Sequence, residues 1–187
     1  MPSLDLQPHP GNSPAPLSGI QVQVRLGPAG RLALRYRLRG DPERLAIPAP
    51  LPAGRGQRLW EQGCCEAFLT WPGCPGYQEY NFSWSGLWAL YGFDAYRQGG
   101  RDLEPEVAPR IRLAQDPQGL TLDTDLVLAP PPSAHRPPRL ALSTVVATRT
   151  GQLSYWALAH PPGAPDFHHP AGFLLDLEPT ESPDSPR

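Results

Sequence analysis

The chain is expected to fold as an all-β protein, an antiparallel β-sandwich of about ten strands with little helix. Two observations predict it. Pro (27) and Gly (18) together make up about a quarter of the 187 residues, and both penalise helix interiors. Apolar residues also recur at every second position in short runs separated by turn signals.

The elements follow in order. Ile20, Val22, Val24 and Leu26 alternate with polar partners. After Gly27-Pro28-Ala29-Gly30, Leu32, Leu34, Tyr36 and Leu38 alternate again. This is a hairpin with one buried face. Residues 41–57 read as a Pro-rich connection. Further strands are expected at Cys64–Thr70, Tyr77–Ser83 and Leu87–Phe93, then over 108–114, 120–128, 139–148, 153–159 and 173–177. Asp116-Pro117-Gln118-Gly119 and Thr150-Gly151-Gln152 supply turns. The short stretch 94–100 is the one candidate helix. Residues 1–17 carry five Pro and read as an extended or disordered arm, residues 18–178 as the folded unit, and 179–187 as a disordered tail.

Composition narrows the function. The formal net charge is −2 and only 18% of residues are charged, which disfavours a nucleic-acid binder. No apolar run reaches the length of a membrane-spanning helix. All sixteen basic residues are Arg, so no lysine base or Schiff base is available. The amino terminus lacks a basic start followed by an apolar stretch, and Cys64, Cys65 and Cys74 form no disulfide framework. Both features point to a cytoplasmic, reducing location.

Chemistry concentrates in two stretches. Residues 59–99 hold four of the five Trp. Period-two spacing puts Tyr77, Glu79, Asn81 and Ser83 on one strand face, with Gln78, Tyr80, Phe82 and Trp84 on the other. Glu66 lies in the preceding strand. Aromatic rings beside carboxylates and amides suit a sugar, whose C–H face packs on an indole while its hydroxyls pair with fixed polar groups. The same pattern also describes an apolar core beneath a solvated polar face, and both readings stand. Residues 154–173 hold His160, His168 and His169 with Asp166, a set that could ligate a metal or serve a structural loop. Adjacent Cys64 and Cys65 point to opposite faces and read as packing residues. Arg31, Arg35, Arg37 and Arg39, with Arg25 nearby, share an outer face that is either an anion-binding stripe or a charged guard against edge pairing. No Gly-rich phosphate loop, G-x-S-x-G elbow or H-E-x-x-H is present.

Three blocks together resemble bacterial DOMON-like domain proteins: L-W-x₄-C-E-A-F from Leu59, Y-x-E-Y-N-F-S-x-S-G-x-W-A-x-Y-x-F-D-x-Y-R from Tyr77, and S-Y-W-A-L-A-H-P-x-G-x-P-D-F-H-H-P-x-G-F from Ser154. That family is related in fold to family 9 carbohydrate-binding modules. The resemblance spans about residues 20–175 and implies a jelly-roll-like sandwich with a ligand-binding, non-catalytic role. Ligands in the wider superfamily are sugars or haem. The sugar alternative implies contacts from Trp60, Glu66, Glu79, Asn81, Trp88, Arg97 and Trp156. Haem-binding relatives use Met with His or Lys, a pair this chain cannot build, because it has no Lys and no Met beyond Met1. A haem or divalent-metal alternative would therefore fall to His160, Asp166, His168 and His169. An enzyme would need Glu66, Glu79 and His160 around one groove.

Overall fold

The computed structural model describes residues 3–12 and 16–178. Its longer strands are β1 (Ser3–Pro8), β2 (Leu17–Leu26), β3 (Arg31–Gly40), β5 (Cys64–Thr70), β6 (Tyr77–Ser83), β7 (Leu87–Phe93), β9 (Arg110–Asp116), β10 (Gly119–Val127), β11 (Arg139–Ala147) and β12 (Leu153–Ala157). Three two-residue strands complete the set: β4 (Gly54–Arg55), β8 (Arg101–Asp102) and β13 (Leu175–Asp176). Among the described residues the only helical pieces are single 3-10 turns, so no helix is long and apolar enough to cross a membrane.

The strands run in one path, β4-β7-β6-β5-β11-β12-β1-β2-β3-β10-β9, with β13 beside β11 and β8 beside β7. Every pairing is antiparallel except β4 with β7, so the sheet is mixed. The sheet curls until its two halves face one core. Ile20, Val22, Leu38 and Leu122 from one half share a cluster with Cys65, Leu69, Phe82, Leu142 and Trp156 from the other. Each such side chain withdrawn from water is worth about 1.5–3 kcal/mol. Tyr36 crosses this core and donates its hydroxyl to the Glu66 carbonyl at 2.7 Å.

Alternation does what the hairpin reading requires. In β3, Leu32, Leu34, Tyr36 and Leu38 are buried while Arg31, Arg35 and Arg39 stay exposed. Two arginines of this strand are answered by acids on neighbouring strands: Arg35 holds Asp123 on β10 and Arg37 holds Asp116 on β9. The turn into β10 depends on Gly119, whose φ of 145° suits glycine and whose added Cβ would meet the Leu38 carbonyl oxygen.

The amino-terminal reading is corrected. Residues 3–8, read as part of an extended or disordered arm, form β1, which pairs with β2 through Leu4↔Val22 and with β12 through Gln7↔Ala157. Leu6 is buried in the core. Leu4 and Leu6 do alternate, but flanking prolines hide so short a signal. Because β1 bridges both halves, the layers expected as separate sandwich sheets are joined into one curled sheet. The candidate helix over 94–100 is a turn closed by Asp94 N–H to the Gln98 carbonyl. Residues 179–187, read as a tail, lie outside the described residues, as do 1–2 and 13–15.

Candidate functional site

The outward face of β7-β6-β5-β11 carries a pocket of about 440 Å³. Strand parity selects its floor. Register sets Glu66 beside Asn81 and Phe68 beside Glu79. It also sets Ser143 beside Glu66 and Tyr91 beside Glu79. These residues therefore share one face, while Cys65, Tyr80 and Leu90 turn into the core. The segment after β12 crosses this face and seats Phe167 and His168 against it.

The rim is set by two turns. Trp60 sits on a 3-10 turn, Leu59–Gln62, bounded by Arg58 (φ 52°) and Gly63 (φ 89°). A side chain at Gly63 would press on Trp84 Nε1 and the Val145 carbonyl, so the chain exits tightly there. Trp60 remains 39% exposed and meets Tyr91 edge-on at 6.3 Å. Arg97 adopts a left-handed conformation (φ 55°), an unusual state for a residue with a Cβ. It aims its N–H at the Tyr77 hydroxyl at 3.2 Å.

A polar network runs beneath the aromatic walls. Ser143 Oγ donates to Glu66 Oε2 at 2.8 Å. The Cys64 thiol lies 3.4 Å from both Glu66 Oε1 and Asn81 Oδ1. Asn81 Nδ2 donates to Glu79 Oε1 at 2.8 Å, and Glu79 Oε2 faces His168 Nε2 at 3.8 Å. His168 Nδ1 meets the Tyr77 hydroxyl at 2.8 Å. The same hydroxyl oxygen accepts from Arg97 N–H, so Tyr77 links the Arg97 turn to His168. Asp166 accepts from Tyr96, from Arg97 Nη2 at 2.7 Å and from the His168 backbone at 3.2 Å.

Burial governs the protonation of this face. It raises both Glu66 and Glu79 well above the carboxylate range, and the charge of Glu79 pushes Glu66 further. It raises the Cys64 thiol too. His168 is pushed down to about 4, by burial first and then by Arg97. Two protonatable acids that share an open pocket are the pattern of a functional site.

The structure brings together Trp60, Glu66, Glu79, Arg97 and His168 around the pocket. Asn81 is fully buried and supports Glu79 without reaching the cavity. Two expected contacts are corrected. Trp88 and Trp156 belong to the core cluster: Trp88 lies under the Arg55 guanidinium at 4.9 Å, and Trp156 donates to Ser154 Oγ at 3.1 Å. Both occupy the opposite parity from Glu79 and Tyr155.

The metal alternative is corrected as well. His160 bonds the Gln7 carbonyl at 2.9 Å, His169 caps the turn at Ala171 N–H, and Asp166 is held by Arg97. Among the described residues no three His, Cys, Asp or Glu side chains converge on a point that could hold a metal ion, and His160, His168 and His169 serve separate partners. Phe68, Tyr91, Phe93, Tyr155 and Phe167, also in the lining, were not anticipated. Tyr91 and Phe93 share the parity of Tyr77 and Glu79 through the β6–β7 register and could have been found that way. Tyr155 and Phe167 meet the pocket only through the fold.

No family model and no curated protein matches the chain. Among solved structures it is similar to a proposed carbohydrate-binding protein from Bacteroides uniformis, with a TM-score of 0.61 and 15% identity over 92% of this chain and 84% of that one. It is also similar to a family 9 carbohydrate-binding module from Caldicellulosiruptor kristjanssonii, solved with glucose and with cellotriose. Those two structures give a TM-score of 0.47 and 12% identity over 84% of this chain and 76% or 75% of that one. The first likeness establishes a shared fold.

Proposed function

We propose that this chain is a non-catalytic binding module whose pocket takes a carbohydrate-like small molecule. One observation carries the reading: an exposed indole, Trp60, stands at the rim of a pocket of about 440 Å³ whose floor is a buried pair of carboxyls. That volume falls in the range typical of small-ligand sites. Trp60 and Tyr91 offer ring surface for the C–H face of a sugar. Carboxyls that burial keeps protonated both donate and accept, as paired hydroxyls require. The Bacteroides uniformis protein of the same fold, to which carbohydrate binding is ascribed, supports the assignment.

Binding without chemistry is the better reading of the groups present. His160, the third member of an enzyme reading, bonds the Gln7 carbonyl and does not line the pocket. Glu66 and Glu79 are tied to Ser143, Cys64 and Asn81, and both shift in the same direction. A glycosidase needs one acid and one base. The unpaired Cys64, Cys65 and Cys74 support a reducing compartment.

Titration calorimetry against mono- and oligosaccharides tests the proposal. Binding tighter than millimolar, about −4 kcal/mol, is expected. Trp60→Ala is expected to weaken it about tenfold, the worth of one stacked ring. Absence of any sugar binding in that range overturns the reading.

A further inference from the structure

We infer that the ligand of this pocket carries a protonated amine, as an amino sugar does, held between the Glu66–Glu79 pair and the aromatic walls. This rests on the sugar-binding reading and adds the charge of the occupant.

The first ground is unbalanced charge. Glu66 and Glu79 are only 3% and 5% exposed. Buried carboxylates require a paired cation. Among the described residues the only basic side chain within ion-pair reach of either is His168, 3.8 Å from Glu79, and burial keeps it neutral. Arg97, the guanidinium in the lining, is occupied by Asp166 through Nε at 3.2 Å and Nη2 at 2.7 Å. Arg97 attracts Glu79 from a distance, but its hydrogen bonds go to Asp166 and none reaches either carboxyl.

The second ground is unused acceptor capacity. An ionised carboxylate has about four lone-pair sites. Glu66 receives Ser143 and the Cys64 thiol. Glu79 receives Asn81 on Oε1, while Oε2 has nothing nearer than His168. An ammonium brings three donors and the missing charge together. A neutral hydroxyl brings one donor and no charge.

The third ground is the wall. Trp60, Phe68, Tyr91, Phe93, Tyr155 and Phe167 surround the cavity, and aromatic faces attract cations. Carboxyls below and rings around form an environment suited to an ammonium. In the empty pocket a proton takes the place of the cation, since burial favours the neutral acids. The ammonium therefore displaces a proton to solvent as it binds. The other titratable or charged groups around the pair are Tyr36, Cys64, Cys65, Tyr77, Tyr91, Arg97, Asp166 and His168.

Calorimetry of the full chain slightly below neutral pH, in two buffers of different ionisation enthalpy, decides it with glucose, glucosamine and ethanolamine as probes. Glucosamine is expected to bind at least about tenfold tighter than glucose, with net proton release. Glu79→Gln, checked for folding by circular dichroism, is expected to bring the glucosamine-to-glucose ratio to about one. The wild-type ratio is decisive even if that variant fails to fold. Glucose binding as tightly as glucosamine overturns the inference and leaves the sugar reading standing. Ethanolamine binding without either sugar upholds the amine and overturns the sugar reading. Binding of none of the three overturns both.

Discussion

The outward faces of the two halves of the sheet are built by the same alternation, yet they treat charge in opposite ways. On β3, β10 and β9 charges stand in water and pair across strands, as Arg35 does with Asp123 at 2.6 Å with a second bond at 3.2 Å. On β5, β6 and β7 the segment after β12 and the Trp60 turn cover the face, and Glu66 and Glu79 are buried without a cation. The first arrangement keeps a sheet soluble and guards it against unwanted pairing. The second holds buried acid in a hollow, which costs stability. The period of the sequence is common to both faces, and the difference is what lies on top.

Four variants probe that contrast, the largest effect first. Phe68 is fully buried in the small cluster with Tyr77, Ala141 and Phe173 under the pocket. Phe68→Ala is expected to cost about 3–5 kcal/mol in denaturant unfolding. A loss below about 1 kcal/mol would mean that the pocket face has no core of its own.

The paired substitution of Glu66→Gln with Glu79→Gln tests the strain. In the folded chain both carboxyls titrate above the unfolded value of 4.5. Folding therefore retains protons that the unfolded chain has lost. Their stabilising contribution is complete below 4.5 and disappears as pH climbs through the raised folded values. His168 acts oppositely: its depressed value, about 4, means stability grows up to its unfolded value of 6.5 and then stays constant. Above 6.5 and below the thiol range only the carboxyl loss remains. The wild type is expected to lose on the order of 1 kcal/mol per pH unit there, while the double variant stays flat. Parallel thermal melts across that window would refute the strain.

Tyr36 ties the two halves by its bond to the Glu66 carbonyl. Tyr36→Phe is expected to cost about 1 kcal/mol, read by the denaturation midpoint, and to loosen hydrogen exchange in β5. Arg35→Ala on the ladder is expected to cost about 0.2–1 kcal/mol and less in high salt. A larger loss would mean that the exposed face carries structural weight comparable to the pocket.

Much of this molecule could be read from its residues. The hairpin of β2 and β3 is legible because Leu32, Leu34, Tyr36 and Leu38 alternate without interruption. The shared face of Glu79 and Asn81 follows from the pleat. Assigning Trp88 and Trp156 to the ligand failed because an indole has both ring surface and a donor, so composition does not distinguish a binding platform from a core plug. Parity against Glu79 would have separated Trp88.

What the chain determined by itself is local: period-two alternation sets which side of each strand an atom faces, because pleating is a property of consecutive residues. What only tertiary structure decided is which side is covered, and by what. Residues 3–8 became a bridging strand, Phe167 and His168 arrived over β5 and β6, and Glu66 and Glu79 lost their water. Those outcomes depend on contacts between segments far apart in sequence, and burial, which alters the chemistry of a carboxyl, depends on the neighbours that arrive.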